Sequence, residues 1–175
     1  MTYSVSLISC PTDADWLECK RRALITIGKQ PIHRQPSSEW KHAILEARHS
    51  PIRYLRYSFY IECPYWVSVH LCRHVHAQPY VKSQRNDRQD EYDRNDAPQS
   101  EPVSMILDTN AEELMVIANK RLCLKASAET RQVVQDMCKL AEEATPELHG
   151  LLVPLCEYCG GVCHGMEPGG RYKRE

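Results

Sequence analysis

The sequence predicts an α+β protein in which an antiparallel sheet is flanked by helices. Residues 54–62 carry the clearest signal for strands. Leu55, Tyr57, Phe59 and Ile61 fall on one side and Arg56, Ser58, Tyr60 and Glu62 on the other, which is the period of a half-buried strand. Residues 129–144 carry the clearest signal for helices. Val133, Val134, Met137, Leu140, Ala141 and Ala144 recur at helical spacing and form a core face. Shorter alternating segments at 3–8 and 103–107 supply further strands.

The remaining elements follow in order. Thr12, with Asp13 and Asp15 behind it, opens a helix running to about Ile27, its acidic first turn facing the positive end of the helix dipole. A loop containing proline and serine leads to a second helix that opens at Ser38 and ends near Arg48, and Pro51 closes that region. After the long strand, Pro64 stands at the start of a helix from Tyr65 to about His74, which aligns Trp66, His70 and Arg73 on one stripe. Residues 85–101 are polar apart from Tyr92 and read as a solvated loop or a lid. A helix from Asn110 to about Lys125 places Leu114, Ile117, Ala118 and Arg121 on one face, and Pro146 ends the helix after it. Residues 1–150 form a single domain and 151–175 a tail rich in Cys and Gly.

Bulk composition narrows the function. The 175 residues suffice for one domain with a real core. A net charge of −1 argues against capture of nucleic acid or an anionic membrane by a global field, so a bound anion must meet a local group of arginines. No apolar run approaches the roughly 20 residues of a membrane span. The first residues lack the pattern of a signal peptide, and the cytoplasm is the expected location. In that setting nine cysteines, an odd number, read as reduced, buried, metal-bound or reactive rather than paired in disulfides.

The chemistry centres on Arg73-His74-Val75-His76 and the stretch that follows, Pro79 to Arg85. Pro79 must interrupt any helix begun at Tyr65, leaving a helix end, a turn and an extended segment that carries Ser83, Gln84 and Arg85. Arginine contacts phosphate or carbonyl edges in a bidentate, geometry-specific way, so this junction is a candidate nucleotide monophosphate site; two ordinary surface arginines are the bland alternative. Arg121 adds weight because it lies on an apolar helical stripe, where a cation is costly unless paired or facing a pocket. A snorkelling side chain is the alternative there.

These motifs resemble flavin-dependent thymidylate synthases. That family carries Arg-His-Arg, seven residues, Ser and, two places on, Arg; here Arg73-His74-Val75 is followed after seven residues by Ser83 and then Arg85. The family's downstream helix pair is echoed from Arg121 to Arg131, and its His-x-Ser/Thr-Pro turn by His49-Ser50-Pro51, one residue tighter. The resemblance covers about 48–131. It implies a homotetramer with shared active sites, converting dUMP to dTMP with methylenetetrahydrofolate as carbon donor and NADPH reducing FAD. It further implies dUMP contacts from His70, Arg73, Ser83, Gln84, Arg85 and Arg121, with Arg121 at the uracil carbonyls in the catalytic role. For FAD it implies His49, Ser50, Arg73, His74, His76 and Asn110. Val75 departs from the family's second signature arginine. Arg53 and Glu112 stand where the family has Glu and Arg, which suggests one ion pair with its charges exchanged. The arginines that face the nucleotide thus survive better than the flavin contacts. A non-catalytic pyrimidine-nucleotide-binding protein and a related C5-modifying enzyme remain open.

Outside the resemblance, Cys156, Cys159, Cys163 and His164 offer soft ligands of the kind tetrahedral zinc takes; unliganded reduced cysteines are the alternative. Asn110, with Glu113 three residues on, also reads as a helix cap.

Overall fold

The computed structural model describes residues 3–88 and 92–163. The strands are β1 (Ser4–Ser9), β2 (Arg56–Pro64), β3 (Gln78–Val81) and β4 (Pro102–Asn110). They form one sheet in the order β1-β2-β4-β3, every neighbouring pair antiparallel. The helices are α1 (Asp13–Thr26), α2 (Ser38–Glu46), α3 (Tyr65–Cys72), α4 (Ala111–Arg121), α5 (Ala128–Ala144) and the short α6 (Leu155–Tyr158). The α+β architecture expected from the sequence is what the chain adopts, with β4 three residues longer at its C-terminal end than the alternation suggested. Among the described residues no helix is long and apolar enough to cross a membrane.

The sheet is two-faced because its sequence alternates. Tyr57, Phe59, Ile61 and Cys63 of β2 lie beside Val103, Met105, Leu107 and Thr109 of β4 on one face, and all are buried. That face packs on α4 and α5, whose Leu114, Ile117, Val133, Val134, Met137 and Ala141 complete the core. The opposite face carries Arg56, Ser58, Tyr60, Glu62, Ile106 and Tyr80, and is solvated, as is common for antiparallel sheets. Within the core, Tyr57 Oη donates to Thr145 Oγ1 at 3.1 Å, which satisfies a phenol that burial would otherwise penalise.

Local chemistry sets the boundaries. Thr12 and Asp15 form a capping box, with Asp15 Oδ2 accepting from Thr12 N at 2.8 Å and Thr12 Oγ1 accepting from Asp15 N at 3.3 Å. Pro51 begins a 3-10 turn, Ser50–Tyr54, so β2 starts at Arg56 rather than Tyr54. Pro79 sits in the edge strand β3. Lys82 N–H donates to Ser104 O, so in the alternating ladder the Pro79 nitrogen faces the open edge, where its missing proton removes no bond. α4 stops at Arg121 rather than near Lys125, because Ser127 caps α5 by accepting from Thr130 N.

Phe59→Ala should cost about 3–5 kcal/mol in urea unfolding, since it empties a site on the buried face. Tyr80→Ala, on the solvated face, should cost under about 1 kcal/mol. Equal losses would contradict the assignment of the two faces.

Candidate functional site

Two helix starts and one turn build the site. At the end of β4, Asn110 has extended backbone and its Oδ1 accepts from Glu113 N at 3.0 Å, so α4 begins there. Ala111 N–H donates to Leu55 O at 2.9 Å and ties that start to the head of β2. α3 starts because the N–H groups of Tyr65 and Trp66 donate to Glu101 O and Gln99 O of the long polar loop. It ends at Arg73, and bonds from His74 N to Leu71 O and from Ala77 N to His74 O turn the chain toward β3. The turn sets Arg73, His74 and His76 beside the flank of α4.

There a hydrogen-bonded chain runs between three side chains. Arg121 Nε donates to His74 Nε2 at 3.1 Å, and Arg121 Nη2 donates to the His70 carbonyl at 2.6 Å. His74 Nδ1 lies 3.1 Å from Glu113 Oε1. Because Nε2 accepts from a guanidinium, the imidazole proton sits on Nδ1 and is donated to Glu113. Protonating Nε2 would set two donors against each other. The His74 pKa is accordingly pushed down to about 4, first by burial and then by the positive charges of Arg121 and Lys120. Burial raises the Glu113 carboxyl and lowers the Arg121 guanidinium, which remains a cation. His74 and Glu113 are only 7% and 5% exposed, so neither is a surface group that happens to pair. Glu113 was expected only as a partner in the cap; its carboxylate serves His74 instead.

This chain backs a pocket of about 430 Å³ bordered by Arg73, His76, Lys120 and Arg121, with Val75 and Val116 as apolar wall. Arg73 also borders a second hollow of about 240 Å³ with Trp66, His70 and Gln99. His70 is fixed within it. Its Nδ1 is 2.8 Å from Thr130 Oγ1, and its ring meets the Trp66 ring edge-on with centroids 5.5 Å apart. Burial, then Arg121 and Arg73, lowers its pKa.

Not every expected residue joins this group within one chain. β3 runs from Gln78, opposite Asp108, to Val81, opposite Met105. Ser83, Gln84 and Arg85 therefore leave the sheet at the far end, about 13 Å along the strand from the Arg73–His76 turn. Arg85 is exposed and engages Asp87 with two donors, at 2.8 and 2.6 Å. Ser83 Oγ accepts from Arg85 N at 3.3 Å. His49 and Ser50 are exposed at the 3-10 turn before β2. Beside them the expected Arg53–Glu112 ion pair is present, joining that turn to α4. Asn110 is buried and caps α4, its Oδ1 committed and its amide nitrogen without a partner among the described residues.

The cysteine tail does not assemble a metal centre among the described residues. None of Cys156, Cys159 and Cys163 is in a disulfide, and among the described residues no group of three or more potential metal ligands comes together there. His164 lies outside the described residues. Beyond Glu113, sequence reasoning also missed Lys120 and the Arg48–Asn119 contact, 2.8 Å, which brackets the start of the tail with Arg48 stacked on Tyr158 at 3.9 Å. Only the positive φ of Arg48, 48°, marks its position as special, and that is a property of the backbone.

The neutral His74 has a consequence for stability. Its folded pKa lies below the unfolded value, so the unfolded chain takes up this proton first as the solution is acidified. Stability present above pH 6.5 is therefore lost as pH falls toward about 4, a change on the order of 3 kcal/mol. The stability advantage of the wild type over His74→Gln should shrink across that window in urea titrations. A constant difference would show that His74 is not held neutral.

No protein-family model matches the sequence, and no curated protein matches it. In three dimensions the fold is similar to the crystal structure of a UMP/dUMP methylase, PolB, from Streptomyces cacaoi, bound with 5-Br dUMP. The TM-score is 0.67 at 14% identity, over 86% of this chain and 94% of that one. At that identity the likeness establishes the fold.

Proposed function

We propose that this chain binds a uridylate and modifies its ring at C5, the reaction being reductive methylation of dUMP to dTMP. Methylenetetrahydrofolate supplies the carbon and NADPH the reducing equivalents, by way of FAD. The observation that carries the reading is the pocket shared by Arg73 and Arg121, on a fold that matches a UMP/dUMP methylase over 86% of the chain.

The chemistry follows from the donors present. Attack by C5 of a uracil on a one-carbon unit requires an electron-rich ring, with negative charge gathering on the carbonyl oxygens. A guanidinium fixed at those oxygens stabilises that charge without having to reorganise. Arg121 is fixed in this way by His74 and the His70 carbonyl. Arg73, at the mouth of the same pocket, supplies a second cation. The phosphate is assigned to Ser83, Gln84 and Arg85. Their position at the other end of β3 supports a site in which two copies each contribute one of these groups, as in a homotetramer with shared sites. On binding, Arg85 exchanges Asp87 for phosphate, a trade between two charge-assisted pairs.

FAD supplies hydride when bound. The residues available to hold it are His49, Ser50, His76 and the free amide of Asn110. His74 has both ring nitrogens engaged inside the chain, and Val75 brings no charge. That reduced set favours a second reading, a uridylate-binding relative that carries out a different C5 modification.

Calorimetry with dUMP should show binding, and Arg121→Ala and Arg85→Ala should each weaken it at least tenfold, about 1.4 kcal/mol. Unchanged affinity in both variants would remove the site. Protein reconstituted with FAD should be yellow, and its flavin, once reduced, should be reoxidised in a dUMP-dependent way when methylenetetrahydrofolate is added. Tight dUMP binding without flavin uptake would select the second reading.

A further inference from the structure

We propose that Glu113 and His74 act together as positioning residues, holding Arg121 so that one edge of its guanidinium faces the pocket and selects a uracil over a cytosine ring. The inference rests on the reading of this pocket as a uridylate site.

Geometry supports it. Glu113 and Arg121 lie on the same helix, α4, at positions 113 and 121. At 1.5 Å per residue they are about 12 Å apart along the axis and do not pair directly. His74, from the turn after α3, bridges that gap with one nitrogen toward each. The Asn110 cap fixes Glu113 at the other end by holding its backbone N–H. A buried carboxylate and a buried imidazole are unfavourable unless their hydrogen bonds are met, and here each meets the other. The arrangement satisfies both groups while leaving Arg121 a cation with no acidic partner of its own.

Its effect on Arg121 is directional. Nε is committed to His74 and Nη2 to the His70 carbonyl, so the plane of the guanidinium is set by two elements at once. Nη1 has no hydrogen-bond partner among the described residues, and Arg121 borders the pocket. Guanidinium nitrogens are donors only. An edge held in place therefore donates to a ring carbonyl, as at C4 of uracil, and opposes the amino group that cytosine carries there. A guanidinium free to swing would avoid the amino group and lose that discrimination.

The test measures dUMP and dCMP affinities by calorimetry for the wild type, His74→Phe, Glu113→Ala and Glu113→Gln. Wild type should prefer dUMP. His74→Phe and Glu113→Ala should each lower the dUMP-to-dCMP preference at least tenfold, whereas Glu113→Gln, which keeps an acceptor for Nδ1–H, should restore most of it. An unchanged preference in His74→Phe and Glu113→Ala overturns the positioning role and leaves the uridylate reading standing. A wild type that binds neither nucleotide overturns the uridylate reading itself. Nitrogen NMR of the wild-type guanidinium is independent of whether the variants fold. Distinct Nη1 and Nη2 signals for Arg121 are expected from a clamped group, and a single averaged signal overturns the clamp.

Discussion

A cation placed on the inward stripe of a helix has to be answered from within the fold, and much of the architecture around α4 is that answer. Arg121 cannot reach the carboxylate two turns earlier on its own helix. The chain instead inserts His74, held neutral, between the two. This requires the turn after α3 to lie against α4, and that turn is set by the end of α3 and the start of β3. The site therefore depends on the sheet register as well as on the residues that touch one another.

The sheet provides that register economically. β2 and β4 are its two central strands, and each hands the chain directly to a helix: β2 to α3 at Pro64 and β4 to α4 at Asn110. Because the strands are antiparallel, the two helices start at opposite ends of the sheet. α3 then runs back along it, so its C-terminus arrives near the N-terminal half of α4. The bonds from Tyr65 and Trp66 to the polar loop and from Ala111 to Leu55 fix the two origins. The long polar loop thus has a structural duty at its C-terminal end, whatever its earlier residues do.

Legibility in the sequence tracked the range of the interaction. The faces of β2 and α5 were readable because burial imposes periods of 2 and 3.6 on neighbouring residues. The caps at Thr12 and Asn110 were readable for the same local reason. Arg121 stood out because a cation broke an apolar stripe, and the exchange of charge at Arg53 and Glu112 was visible as a pair of departures from one pattern. Glu113 was visible too, but its partner was misjudged: a Glu three residues after a cap suggests a capping box, and only the tertiary approach of His74, at 39 positions' separation, redirects it. Boundaries slipped where a local signal was ambiguous, as at Tyr54, where a proline-led 3-10 turn looks like the start of a strand.

The placement of Ser83 to Arg85 is where sequence and single-chain geometry part. Spacing makes Arg73 and Arg85 look like one motif, since twelve positions separate them. Yet the strand between them is extended, and extension carries the second group away from the first. The strand thus sets the two ends of the motif apart within one chain. In the shared site proposed above, each uridylate would meet Arg73 and Arg121 of one copy and Arg85 of another. The short, proline-bearing edge strand then matters in a second way: it keeps the two ends apart while offering little for unwanted strand pairing.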